Sequence, residues 1–202
     1  MYERIETRHL ILRVLHPKEA VLVSAFYSRN FDDFARFEPL TRKQSLSTRY
    51  QRKVLELEDR YREEGKRIRY YLFEKYDPFK TIGTVSFREL DQGQTSTVGY
   101  KVDQEYRRRG YARETLETLI PEIEREYRIK YIRAEVLTTN VPSQSLLSGL
   151  GFRRTAMLPG GAHLNGMDLD EYIYKRRLKV HFKGALFIFA IKNRASAVEL
   201  PK

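Results

Sequence analysis

Residues 95–137 constrain the fold of this chain more than any other stretch. Thr97-Val98-Gly99-Tyr100-Lys101-Val102 alternates as a strand does, and Leu116, Leu119, Ile120, Ile123 and Tyr127 recur at helical spacing. Lys130–Leu137 is again β-rich. Between the first two segments lies Tyr106-Arg107-Arg108-Arg109-Gly110-Tyr111-Ala112-Arg113. Strand, basic turn, helix and strand in that order make a βαβ crossover, the connection that parallel neighbours require. A helix N-terminus exposes unpaired backbone N–H groups and the positive end of the macrodipole. With arginines beside it, the turn is an anion site, and pyrophosphate is the commonest biological fit.

The flanking segments read as follows. A first strand covers 8–15, and Pro17 opens a helix made apolar by Ala20, Val21, Val23, Ala25 and Phe26. Residues 31–44 have no clean period and read as a loop with short turns. Tyr50, Val54, Leu57 and Tyr61 at three- and four-residue steps predict an amphipathic helix over 46–64, ended by Gly65. Runs 67–76 and 80–90 flank Asp77-Pro78 and predict a hairpin, and Asp91-Gln92-Gly93 turns into the strand at 95–102. Pro142-Ser143 starts a short helix that stops at Gly149 or Gly151, and 152–158 and 169–175 are final strands. Antiparallel hairpins with one crossover give an α+β fold with a mixed sheet.

Composition narrows the chemistry. Hydrophobic content of 41% with 12% aromatic supports a sizeable core. Cysteine is absent, which removes disulfides, thiolate zinc sites and a cysteine nucleophile. The first residues carry no apolar signal core, and the longest apolar run, Ala185–Ile191, is far short of the roughly 20 residues of a membrane span. A cytoplasmic location is the expectation. Of the net charge of +11, the stretch from Lys175 to Lys202 holds +7, with eight basic residues against Glu199, leaving +4 for residues 1–174. The basic excess therefore belongs to a C-terminal extension. It reads as a solvated tail or as an arm for RNA, the ribosome, an acidic partner or a membrane surface. Its apolar run also permits a homodimer contact.

Two common phosphate motifs fail. The turn has a single glycine where a dinucleotide fingerprint needs Gly-x-Gly-x-x-Gly, and the P-loop pattern is absent. What is present is Arg107-x-x-Gly110-x-Ala112, which resembles the Gln/Arg-x-x-Gly-x-Gly/Ala motif of the GNAT N-acetyltransferases. A second block, from Asn140 and Ser143 to Leu150-Gly151-Phe152, is similar to the family's Asn-x-x-Ser…Leu-Gly-Phe. The opening, Glu6-Thr7-Arg8-His9-Leu10-Ile11-Leu12-Arg13, resembles that of the ribosomal-protein alanine N-acetyltransferase branch. So do Phe37-Glu38-Pro39 and Leu164-Asn165-Gly166 followed by Asp170. The resemblance covers 1–174, an acetyltransferase domain, and leaves 175–202 as an extension outside it.

The resemblance implies a twisted, mostly antiparallel sheet with helices on both faces. It implies acetyl-CoA as cosubstrate and direct transfer to a primary amine, above all a ribosomal-protein or peptide N-terminal α-amine. No metal is expected. Arg107, Arg108, Arg109, Gly110, Tyr111, Ala112 and Arg113 would hold the pyrophosphate. Val98, Gly99, Tyr100, Lys101 and Val102 would offer backbone to the pantetheine amides, where this strand splays from the next. Asn140 and Ser143 would approach pantetheine or the thioester; each also reads as an ordinary loop or helix-cap residue. The amide near Val136–Leu137 is an oxyanion donor by analogy. Many members carry a tyrosine as acid for the leaving thiolate; its place here is Leu147. For the base, Glu38, Glu135 and His163 stand open, with Ser143 on the thiolate side, and Asp170 reads as orienting. Alternatives to a protein acceptor are a polyamine, an amino acid or an aminoglycoside, or a catalytically weak acyl-CoA-binding module.

Overall fold

The computed structural model describes residues 2–178. The extension beyond Leu178, with the tail, RNA and dimer expectations placed on it, lies outside the described residues. Eight strands form one sheet in the order β1-β2-β3-β4-β5-β6-β8-β7. The strands are β1 (Arg4–Glu6), β2 (Leu10–Arg13), β3 (Arg67–Glu74), β4 (Gly83–Arg88), β5 (Thr95–Val102), β6 (Tyr131–Leu137), β7 (Arg153–Leu164) and β8 (Met167–Arg177). The helices are α1 (Ala20–Phe34), α2 (Arg42–Ser45), α3 (Thr48–Glu63), α4 (Tyr111–Tyr127) and α5 (Val141–Gly149). Every neighbouring pair is antiparallel except β5–β6, which the α4 crossover makes parallel. Both the mixed sheet and the single crossover are as the sequence predicts.

Alternation along the strands explains why helices cover both faces. Leu10 and Leu12 of β2, with Tyr70 and Leu72 of β3, pack in one core with Leu116, Leu119, Ile120 and Ile123 of α4 and Leu147 of α5. The residues between them, Ile11, Tyr71 and Phe73, pack in a second core with Val23 and Phe26 of α1 and Leu55 of α3. Period two in the strands therefore serves two layers at once.

Some element bounds differ from the sequence reading, each for a physical reason. The opening is two strands: Thr7 N–H donates to Leu10 O at 2.9 Å and folds β1 back on β2. Helix α1 runs on to Phe34, because Phe26 and Phe34 continue its apolar face. The final hairpin is longer than 152–158 and 169–175, reaching Leu164 and Arg177. Its turn is Asn165-Gly166, both at positive φ (51° and 78°), the pairing that a tight two-residue hairpin turn requires.

Candidate active site

The site starts from a break in the sheet. β5 and β6 pair only through Thr95↔Tyr131, Ser96↔Ile132 and Thr97↔Arg133. Beyond that β5 stays paired with β4 as far as Val102, and β6 with β8 as far as Leu137. The facing edges of Val98–Val102 and Ala134–Leu137 thus have no strand between them. A small cleft of about 160 Å³ opens there, lined by Val98 and Tyr100 on one side and Ala134, Glu135, Val136 and Leu137 on the other. It shares Phe37, Glu38, Tyr100, Asn140 and Ser143 with a larger cleft of about 500 Å³. The larger cleft runs from Tyr100, Lys101 and Val102 past Arg107, Arg108, Gly110, Tyr111, Ala112 and Arg113.

The basic turn is held by its neighbours. Asp103, 1% exposed, pairs with Arg29 at 3.2 Å and accepts from Glu105 N–H, while Gln104 N–H donates to Asn30 Oδ1. Arg108 (φ 60°) and Gly110 (φ 81°) both take left-handed backbone, and Gly110 is the N-cap of α4. A glycine at that cap avoids the Cβ penalty, and the turn aims first-turn N–H groups of α4 at the cleft.

The arginines are not equivalent. Arg107 donates both guanidinium nitrogens to Asp33 at the end of α1, and its Nε to Val102 O. Arg113 donates to Gly149 O at 3.1 Å and pairs with Glu117 at 3.3 Å. Arg109 stacks on Tyr106, donates to Glu105 O and sits 3.6 Å from Glu74. Among the described residues Arg108 alone of the four has no such partner, and it lines the larger cleft.

On the facing wall, Asn140 caps α5: its Oδ1 accepts from Ser143 N–H at 3.2 Å. Ser143 is therefore the capped residue, not the cap. Its hydroxyl lies 2.7 Å from the Tyr100 hydroxyl, which reaches across from β5. Burial pushes the Tyr100 phenol up to about 12 against a smaller opposing pull from the Ser143 hydrogen bond, so the phenol keeps its proton at neutral pH. Leu147, where the family tyrosine would stand, is 0% exposed and part of the core.

Most of the expected site residues line the two clefts, and the exceptions are specific. Gly99 and Arg109 line neither. Gly99 pairs with Ser86 inside the β4–β5 ladder, and Arg109 turns toward Glu74 and Tyr106. His163 also lines neither cleft: it sits on the exposed β7–β8 hairpin, 2.7 Å from Asp168. Asp170 ties that hairpin, accepting from Gly160 N–H on its side chain and from Thr138 N–H on its carbonyl. Glu38 pairs with Lys101, which also rests over the Tyr27 and Phe34 rings. Glu135 pairs with Arg133 at 2.6 Å and approaches Arg88 at 3.6 Å.

One lining carboxylate escapes the sequence reading. Glu171 of β8 lies opposite Leu137 and lines the small cleft. Burial, and then repulsion from Glu135, raise its carboxyl above the usual glutamate value; Arg133 and Arg88 oppose this. The only local signal is its place one residue after Asp170 on a strand with alternating residues.

A family model described as the acetyltransferase (GNAT) domain matches residues 9–153. The chain belongs to the GNAT acetyltransferase family. This acetyltransferase is 27% identical over 175 residues to an uncharacterized N-acetyltransferase, YoaA, of Bacillus subtilis, covering 86% of the chain and 96% of the relative. Its fold matches the ribosomal-protein-S5-alanine acetyltransferase of Vibrio fischeri with a TM-score of 0.81 at 22% identity, covering 86% of this chain and 96% of that one. It also matches RimL, a ribosomal L7/L12 α-N-protein acetyltransferase solved with coenzyme A, with a TM-score of 0.80 at 18% identity over 87% and 98% of the two chains. Among the described residues no helix is long and apolar enough to cross a membrane.

Proposed function

We propose that this acetyltransferase moves an acetyl group from acetyl-CoA directly to the N-terminal α-amine of a protein or peptide, of the ribosomal-protein type. The observation that carries the cosubstrate is the continuity of the two clefts: a polar, N–H-rich turn at one end, unpaired strand edges at the other. The pyrophosphate would meet the Gly110–Ala112 amides and the free Arg108 guanidinium. The pantetheine amides would pair with the open edge of β5, as an added strand does. The thioester would then lie near Tyr100, Asn140 and Ser143, which both clefts share.

The chemistry needs an unprotonated amine, a polarised carbonyl and a proton for sulfur. The amine nitrogen attacks the acetyl carbon, the C–S bond breaks with its electrons going to sulfur, and the nitrogen loses a proton. Ser143 and Tyr100 form a hydroxyl pair where the thioester would lie, so Ser143 can hand sulfur a proton, refill from Tyr100, and have the pair reset by a proton from solvent. This pair takes the place of the absent tyrosine at Leu147. Support for an α-amine acceptor comes from the structural relatives that act on ribosomal proteins; polyamines, amino acids and aminoglycosides are the competing acceptors.

The test is turnover with acetyl-CoA against peptides with free N-termini, ribosomal-protein N-termini among them, alongside the small amines. Thiol release and product mass should show acetylation of a peptide α-amine. Calorimetry should show coenzyme A binding. Exclusive turnover of small amines would replace the acceptor; no binding and no turnover would remove the reading altogether.

A further inference from the structure

Three glutamates line the small cleft, and they differ in what already holds them. Glu38 is paired with Lys101, and Glu135 with Arg133 and Arg88. Among the described residues Glu171 has neither an ion pair nor a hydrogen bond. Across the hairpin its Oε2 lies against Gly161, where an added Cβ would come within 3.0 Å, so the missing side chain is what accommodates the carboxylate. The residue stands on β8 opposite Leu137, at the end of β6 that has parted from β5, and lines the small cleft together with Tyr100 and Ser143.

We infer that Glu171 is the carboxylate that receives the acceptor ammonium and takes its proton, an assignment that rests on the N-acetyltransferase reading above. Elimination and placement carry it. An ion-paired carboxylate loses its partner when it is protonated, so proton transfer to Glu38 or Glu135 would cost those pairs. A free carboxylate in a partly buried cleft attracts a cation and suffers no such loss. Its raised affinity for protons also makes it a stronger base than a surface glutamate. The groups facing it are Glu135 and Arg133 of β6, Arg88 of β4, Tyr100 of β5 and Glu38 of the loop after α1.

The proton balance closes. Glu171 takes one proton from the ammonium, directly or through a water, and releases it to solvent. The neutral amine then attacks, forming the C–N bond. As the C–S bond breaks, the proton still carried by the attached nitrogen passes through water to solvent, sulfur gains one through the Ser143–Tyr100 hydroxyls, and that pair takes one proton back from solvent. The products are the acetylamide, the thiol of coenzyme A and one proton in solution. The acceptor class follows: a primary amine that is cationic at neutral pH.

The experiment uses the full chain, acetyl-CoA and the best peptide amine. Glu171→Gln should lower kcat about 100-fold or more, the span of general base catalysis, with the Kd for coenzyme A unchanged. In the wild type, kcat/KM should rise with pH through a group lying above the usual glutamate value. That limb should vanish in Glu171→Gln and persist in Glu171→Asp. Carboxyl-labelled NMR of the wild type supplies a readout that needs no variant: the Glu171 carboxyl should titrate above the other exposed glutamates, and its midpoint should fall when the amine is added. A Glu171→Gln enzyme within threefold of wild type with the acidic limb intact overturns the assignment alone. So does a Glu171 resonance indifferent to amine. A wild type that neither binds coenzyme A nor acetylates any amine overturns the N-acetyltransferase reading and this assignment with it.

Discussion

The two ends of the cleft are built in opposite ways. The cofactor end is local: strand β5, the arginine turn and the first turn of α4 are contiguous, and residues 98–113 supply most of its wall. The small cleft, the proposed acceptor end, is assembled from distant pieces, with Glu38 from the loop after α1, Glu135 from β6 and Glu171 from β8. A contiguous motif can be recognised from spacing, because backbone geometry alone places its groups. A site assembled across the chain depends on which strands become neighbours and on which charges find partners. At both ends the residue left unpartnered among the described residues, Arg108 or Glu171, is the one to which the proposed reading gives a ligand.

That contrast can be broken most decisively where the two ends meet. Replacing Tyr100 with Phe removes the hydroxyl behind Ser143, and kcat should fall by about 10- to 100-fold, toward the lower range of acid–base effects. Coenzyme A affinity should change little, since β5 offers backbone there. Single-turnover acetylation would show it, and equal loss in Kd would mean that Tyr100 binds more than it donates. Because its phenol is pushed up to about 12 by burial, the protonated donor form persists through neutral pH. Tyr100→Phe should therefore leave any alkaline limb below pH 11 where it is.

A smaller effect tests whether the missing tyrosine can be restored by its position in sequence. Leu147→Tyr puts a larger, hydroxyl-bearing side chain into a fully buried site. It should cost roughly 1–3 kcal/mol of stability through overpacking and give no gain in kcat. Denaturant unfolding together with turnover would decide; a faster enzyme would mean that α5 can turn that face to the cleft.

The arginine turn sharpens the comparison at the cofactor end. Arg108→Ala should weaken coenzyme A binding about tenfold, the scale of one charge-assisted hydrogen bond, and flatten its salt dependence. Arg107→Ala should act less on affinity, because its guanidinium is already held by Asp33. Calorimetry across salt concentrations would rank them, and the reverse order would place Arg107 on the phosphate.

The smallest effect concerns the brace beneath that turn. Glu114, in the first turn of α4, accepts from Thr7 Oγ1 at 2.5 Å and His9 N–H at 2.8 Å, and pairs with His9 Nδ1 at 2.7 Å. Burial raises its carboxyl pKa, but these bonds outweigh burial and leave it below the ordinary glutamate value. A lowered folded-state pKa adds stability that is fully present above 4.5 and is lost as pH falls through the lowered value. Thr7→Ala should therefore lower Tm slightly at neutral pH, and the difference should shrink below about pH 4.

Much of the fold was legible because local patterns carried it. The period-two runs of β3 and β5, the helical period of α3 and α4, and the order of hairpins and crossover all reappear in the structure. The final hairpin was under-read although Asn165-Gly166 is a strong turn signal, because the exposed pattern of β7 offers no apolar alternation to extend it. Arg107 and Ser143 were visible as residues but not in their roles: Asp33 lies 74 positions from Arg107, and Tyr100 lies 43 from Ser143. His163 stands open as a base in the sequence, yet its strand carries it to the exposed hairpin and Asp168.

The amino-acid sequence by itself determined the mixed sheet, the crossover and the phosphate-type turn at its centre, because periodicity and turn chemistry act over a few residues. Tertiary structure alone decided where β5 parts from β6, which hydroxyl faces Ser143, and which of the three cleft glutamates has no ion pair among the described residues. The physical reason is range. Backbone preference is set by neighbours in sequence, whereas the charge state and freedom of a side chain are set by neighbours in space, and for Glu171 those come from β4, β6 and β7.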